Sequence, residues 1–189
     1  MLISYNELCK MVEDGVIAPV DFKDVNGTSI DVHLGDEILV ESRPESPEQG
    51  VVSLRDKERL AMRTVNIKDG YYDLKPGEFI LAATREKFNL PDTISAEYKL
   101  NSSGARIGLE NALATWCDPN WNGSVLTLEL TNLTKHHTIR LHAGARIGQM
   151  IFHKSEPVPH DKSYAVRGRY NGDQTVQATK DETPKKGKK

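Results

Sequence analysis

The stretch Ser124-Val125-Leu126-Thr127-Leu128-Glu129-Leu130-Thr131-Asn132 alternates apolar and polar side chains. A period of two marks a strand with unlike faces: Leu126, Leu128 and Leu130 point one way, and Val125, Thr127, Glu129 and Thr131 the other. Outward from it, from Thr28 onward, the chain consists of short runs rich in Val, Ile, Leu and Thr, broken by Gly, Pro, Asn and Asp. Such spacing, with a break about every ten residues, predicts an all-β barrel or sandwich. The expected strands are Ser29 to Leu34, Glu37 to Glu41, Gly70 to Leu74, Phe79 to Thr84, Ile94 to Leu100, Leu109 to Leu113, Ser124 to Thr131, His137 to Leu141 and Ala145 to Lys154. Lys75-Pro76-Gly77 and His142-Ala143-Gly144 read as tight turns.

One helix is expected before the strands. Ser4 and Glu7 have the spacing of a capping box, Leu8, Met11 and Val12 share a face, and Gly15 stops the run, which predicts a helix over 5–14. Glu41 to Asn66, with Pro44, Pro47 and the charge run Arg55-Asp56-Lys57-Glu58-Arg59, reads as a surface excursion. After Glu156 the sequence becomes polar. The expected organisation is one domain over 1–160, an arm over 161–178 and a disordered basic tail over 179–189. The arm is read either as a cover over a ligand, for which Tyr164, Arg167, Arg169, Tyr170 and Gln174 are suitable residue types, or as a frayed terminus.

Bulk properties exclude several functions. The formal net charge of −2 over 189 residues supplies no global field for nucleic acid or membrane, and the lysines at 185, 186, 188 and 189 read as a solvated end. Two cysteines, Cys9 and Cys117, make no disulfide framework and point to a reducing, cytoplasmic setting. No window approaches the roughly 18 apolar residues of a membrane span, and the first residues do not read as a leader.

Chemistry concentrates in the centre. Asn101-Ser102-Ser103-Gly104-Ala105-Arg106 places two hydroxyls and a guanidinium on a glycine-broken turn, a combination suited to phosphate oxygens. Asp118-Pro119-Asn120-Trp121-Asn122-Gly123 follows as a second turn, and then comes Glu129. By pattern alone Glu129 is a solvated residue on a half-exposed strand; beside these turns it reads as a proton-transfer group. Trp116 reads either as core filler or as a surface for stacking a base. The six histidines, His33, His136, His137, His142, His153 and His160, have no metal-ligand spacing with the cysteines, and the H-x-E and P-C-x-x-C pair of zinc deaminases is missing.

In the order Ser-Ser-x-Ala-Arg, Asp-Pro-x-aromatic-x-Gly and Thr-Leu-Glu-Leu-x-Asn, the chain resembles the deoxycytidine triphosphate (dCTP) deaminase branch of the dUTPase-like superfamily. Further matches are Gly27-Thr28-Ser29-Ile30-Asp31-Val32-His33-Leu34-Gly35, where His33 replaces the usual arginine, Leu74 to Phe79, and Gly144 to Gln149. The resemblance implies a mainly-β, dUTPase-like distorted barrel or jelly roll assembled as a homotrimer, with active sites between subunits. It implies Glu129 as catalytic glutamate, Ser102 as holder of the attacking water and Arg106 beside it. Asn101, Ser103, Gly104, Ala105, Ala114 and Asp118 would line the nucleotide site, with Asp118 near the sugar and Thr127 to Glu129, Leu128 included, under the base. Tyr164, Arg169 and Gln174 match the family's phosphate-binding tyrosine, lysine and glutamine, with Asp173 competing for the last place, and Gln149 would assist at the phosphates or be a satisfied strand residue.

The implied partner is dCTP or a related pyrimidine deoxynucleotide, and Mg²⁺ is expected as companion of the triphosphate, with no zinc. Three departures stand out: Asn101 where arginine is usual, Gly104 where leucine is usual, and Trp116-Cys117 where an aliphatic residue precedes the aspartate. Between Arg106 and Asp118 the chain is one residue short, and between Asp118 and Glu129 one residue long. A dUTP diphosphatase and a non-catalytic nucleotide-binding module remain as alternatives on the same fold.

Overall fold

The computed structural model describes residues 1–47, 50–55, 58–112 and 114–180. In chain order its elements are α1 (Tyr5–Glu13), β1 (Ile17–Ala18), β2 (Ile30–His33), β3 (Glu37–Glu41), β4 (Met62–Asn66), β5 (Tyr71–Leu74), β6 (Phe79–Asn89), β7 (Ile94–Leu100), α2 (Ser102–Arg106), β8 (Leu109–Asn111), β9 (Trp116–Cys117), β10 (Asn122–Asn132), β11 (Ile139–His142), β12 (Arg146–Lys154) and α3 (Tyr164–Arg167). The mainly-β expectation with a short N-terminal helix holds. The described strands form three sheets and no closed barrel: β4-β3-β6-β10-β8 with β1 attached to β6, a pair β11-β5, and β2-β12-β7-β9.

The long antiparallel pair β6 and β10 is the spine of the larger sheet, with Leu128 opposite Ala82, Glu129 opposite Leu81 and Leu130 opposite Ile80. The side of β10 carrying Leu126, Leu128 and Leu130 is buried in one core with Ile80, Ala82, Met150, Phe152 and Tyr98. Burying such side chains stabilises by about 1.5–3 kcal/mol each, so the apolar face fixes the register. The other side of the spine, with Leu81, Ala83 and Val125, makes a smaller apolar cluster covered by Val176 of the arm. A register shift between Val125 and Thr127 bends β10 there, and the Thr84 hydroxyl accepts the Leu126 N–H at 3.0 Å.

Several local expectations change. Ser4 occupies the N-cap position of α1, but its side chain makes no capping bond; Glu7 instead accepts from Lys154 Nζ at 2.8 Å. The excursion of 41–66 ends in a strand, β4, paired with β3. Strand β6 runs five residues past its expected end at Thr84, reaching Asn89. The strand expected over Leu109 to Leu113 ends at Asn111, and its last residue lies outside the described residues. His33 sets its Nδ1 2.9 Å from Oε1 of the buried Glu86, which also accepts from Arg85 at 3.0 Å, so this element is a packed ionic cluster.

Candidate functional site

Glu129 sits mid-strand on β10, facing a cavity of about 450 Å³ on the outer side of the spine. Leu81 and Phe79 of β6 flank it, Thr127 stands next along the same face, and Ala114, Trp116 and Cys117 line it as well. Tyr164, Tyr170, Asp173 and Gln177 of the arm close one side, and Leu60 and Met62 line another part. The size falls within the range of small-molecule sites. Glu129 Oε2 is buried and has no hydrogen-bond partner among the described residues. Burial pushes its carboxyl up to about 7, because the charged form loses solvation that a hydrogen bond from its own backbone N–H offsets only in part. A carboxyl balanced near neutrality can accept and then return a proton.

Of the residues singled out in the sequence, Ala114, Trp116, Trp121, Thr127, Glu129, Tyr164 and Tyr170 line this cavity. Leu128 does not: it is 1% exposed and belongs to the core. Asn101, Ser102, Ser103, Gly104, Ala105, Arg106 and Asp118 do not line it either. The expected turn is helix α2, its serines and arginine are exposed, and Arg106 borders a separate open groove with Thr134, His137 and Arg140. Gln149, on β12, accepts from the Ser29 hydroxyl at 2.9 Å, away from the cavity.

Asn101 explains two departures together. Its Oδ1 accepts the Gly104 N–H at 2.6 Å as the N-cap of α2, and its Nδ2 donates to Arg146 O at 2.9 Å. A Cβ on residue 104 would stand 3.0 Å from Asn101 Oδ1, so this cap works best with glycine there.

The arm lies along the first half of β10. Trp121 Nε1 donates to Tyr170 O at 3.0 Å, Ser124 Oγ to the same carbonyl at 2.7 Å, Val125 N to Asp173 O at 2.9 Å, and Gln177 N to Thr127 Oγ1 at 3.2 Å. Tyr164 is half-buried and burial raises its phenol. Arg169 and Gln174 are outside the cavity: Arg169 donates to Lys180 O at 3.1 Å, and Gln174 bonds Gly123 O and Lys87. Asp173, the competing residue, lines the cavity and holds Lys180 Nζ at 2.5 and 2.8 Å. Thr179 and Lys180, expected in the tail, therefore pack with the arm, whereas 181–189 lie outside the described residues.

Trp116 is not core filler. It is 56% exposed, and its Nε1 donates to Asp118 Oδ1 at 3.0 Å. Trp121 is the packed one, stacked on Phe88 with centroids 5.3 Å apart. Sequence reading missed Gln177, Thr179, Leu60 and Met62 as lining residues; the run Leu60-Ala61-Met62-Arg63-Thr64-Val65 after the charges carried the available signal. Among the described residues no cluster of three His, Cys, Asp or Glu side chains is placed as metal ligands, and no helix is long and apolar enough to cross a membrane.

Fold and cavity together define a mainly-β protein with a cavity of small-molecule size beside a carboxyl balanced near neutrality. A family model described as dCTP deaminase-like matches residues 2–155. A relative from Persephonella marina, named dCTP deaminase, dUMP-forming, is 31% identical over 182 residues, 95% of this chain and 97% of its own. One from Haloarcula marismortui, named dCTP deaminase, is 33% identical over 187 residues, covering 95% and 94%. The crystal structure of a 2′-deoxycytidine 5′-triphosphate deaminase from Agrobacterium tumefaciens matches with a TM-score of 0.63 at 20% identity, over 81% of this chain and 47% of that one. The chain belongs to the dCTP deaminase-like family, and its fold is the one the sequence resemblance implied.

Proposed function

We propose that the protein hydrolytically deaminates dCTP, with Glu129 as the proton-transfer group. The observation that carries this reading is the half-buried Glu129 carboxyl, its Oε2 without a partner among the described residues, in a nucleotide-sized cavity that holds it near pH 7. As carboxylate it takes a proton from water while the water oxygen bonds to C4 of cytosine, and as acid it delivers that proton to N3. It then moves the proton of the new C4 hydroxyl to the amino group. The C4–N bond breaks, ammonia leaves and the C4 carbonyl of uracil remains. Water activation rests on this residue and not on a metal ion.

Ser102 and Arg106 complete the site from a neighbouring subunit of a homotrimer, since in their own chain they face outward, away from the Glu129 cavity. Mg²⁺ arrives with the triphosphate. Tyr164 closes over the phosphates, and Arg169 and Gln174 swing toward them from their present contacts. The name of the Persephonella relative favours a second step, release of dUMP with cleavage of the triphosphate.

The test is ammonia release with product chromatography on dCTP and Mg²⁺, beside dUTP, dCMP and CTP. Ammonia with dUTP or dUMP is expected, and the product distinguishes one step from two. Diphosphate from dUTP with no ammonia from dCTP overturns deamination. Glu129→Gln is expected to lower ammonia release by about 10³-fold or more, the scale of losing a proton-transfer group, while retaining nucleotide binding.

A further inference from the structure

We propose that Lys180 makes the Glu129 cavity tolerant of a polyphosphate by neutralising Asp173, a specificity role that rests on the function proposed above. The side chains lining the cavity include two carboxyls, Glu129 and Asp173, and among the described residues no Lys, Arg or His. An unpaired carboxylate beside a triphosphate repels each charge that it meets, the more strongly where walls exclude water. Lys180 is not itself a lining residue, yet its Nζ donates to both Asp173 oxygens, at 2.5 and 2.8 Å, and to Arg169 O at 3.0 Å.

Several contacts hold the ammonium in that place. The Asp173 side chain is 13% exposed and that of Lys180 30%, so both ions stand largely out of water. Arg169 returns the contact by donating through Nη1 to Lys180 O at 3.1 Å, and the two ends of 169–180 thereby clasp each other. Lys180 Nζ stands 5.3 Å from the ring centroid of Tyr170, a lining residue on which the Arg169 guanidinium also rests at 5.7 Å. The Asp173 carbonyl accepts from Val125 N at 2.9 Å, which ties the backbone of the carboxylate to β10. With Lys180 in place the Asp173 carboxylate adds no net charge to the cavity. Without it, a partly buried anion faces the nucleotide and opposes the phosphates.

The experiment measures the binding of deoxycytidine and of its mono-, di- and triphosphate to the full-length protein and to Lys180→Met, which keeps the stem and removes the charge. Binding is read by competition against a fluorescent dCTP analogue, with ammonia release from dCTP followed alongside. The substitution is expected to weaken dCTP about 10-fold, the diphosphate less, the monophosphate about 2-fold and the nucleoside not at all, because the repulsion grows with the charge that it meets. The loss on dCTP should shrink as salt is raised. Lys180→Arg should stay within about 3-fold of wild type, since it keeps the charge and changes only the geometry. Asp173→Asn in the Lys180→Met background should recover most of the loss on dCTP, because it removes the anion left unpaired. Equal losses on all four ligands would make Lys180 a support of the arm and overturn the proposal, as would no loss on dCTP or no recovery with Asp173→Asn. A wild type that binds dCTP, with losses in Lys180→Met graded by phosphate number, yet releases no ammonia overturns the deaminase reading alone. One that binds none of the four overturns both.

Discussion

Glu129 and the pair Ser102 and Arg106 are parts of one expected site, yet the chain builds them in opposite ways. Glu129 is fixed on the longest strand pair, walled by its own chain and short of a hydrogen-bond partner. Ser102 and Arg106 ride on a five-residue helix, exposed and without side-chain bonds among the described residues. Desolvation tunes a proton-transfer group, and so Glu129 needs walls. A hydroxyl and a guanidinium need only be presented, and a helix at the edge presents them to whatever docks there.

The sharpest way to break this contrast is to mix two inactive variants. Glu129→Gln and Arg106→Ala are each expected to lose most deaminase activity, by about 10²-fold or more for the arginine. If the halves belong to different subunits, reassembling a 1:1 mixture after mild denaturation restores roughly a quarter of wild-type activity, because some sites then pair an intact Glu129 with an intact Arg106. No recovery would place both halves in one chain. Ser102→Ala and Arg106→Ala should leave the melting temperature within about 1 °C of wild type, as substitutions at exposed, unbonded side chains do.

Stability sharpens the contrast from the other side. The folded-state pKa of Glu129 is raised to about 7 from 4.5, so its charged form strains the fold. The favourable state is complete below the unfolded pKa and is lost as pH rises through 7. Glu129→Gln is therefore expected to stabilise the protein at pH 8 by about 1–3 kcal/mol, after allowance for partial solvent access. The gain should shrink through pH 7 and be absent near pH 4.5, as thermal melts at the three pH values would read. The same titration predicts a kcat/KM that falls below pH 7 as the carboxylate is protonated.

The smallest effect belongs to the cap of α2. Asn101→Ala removes the bond to Gly104 N and should cost about 1 kcal/mol, seen as a slightly lower melting temperature. Gly104→Leu should cost a similar amount in the Asn101 background and less with Asn101→Ala, because its Cβ would stand 3.0 Å from Asn101 Oδ1. Equal costs in both backgrounds would separate two departures that the structure couples.

The spine was legible because alternation over 124–132 and the turn residues between strands are local facts, and the buried face of β10 follows them residue by residue. Strand β4 was hidden by the prolines and charges before it, since only its pairing with β3 makes a strand of Met62–Asn66. Helix α2 was read as a turn because its glycine is a poor helix former, whereas the Asn101 cap offsets that cost. Ser4, by contrast, had the right spacing for a capping box and no capping bond, so spacing shows only that such a bond is geometrically available.

By itself the sequence determined the mainly-β class, the positions of the chemistry-bearing motifs and the resemblance to the dCTP deaminases, since periodicity, turn residues and motif order are properties of neighbours along the chain. Tertiary structure alone decided that Glu129 is desolvated to near pH 7, that Trp116 lies open against Asp118 while Trp121 is packed, and that the arm covers β10 while α2 faces away. Each of those depends on which distant segments exclude water from a side chain, and burial is fixed only when the chain has folded.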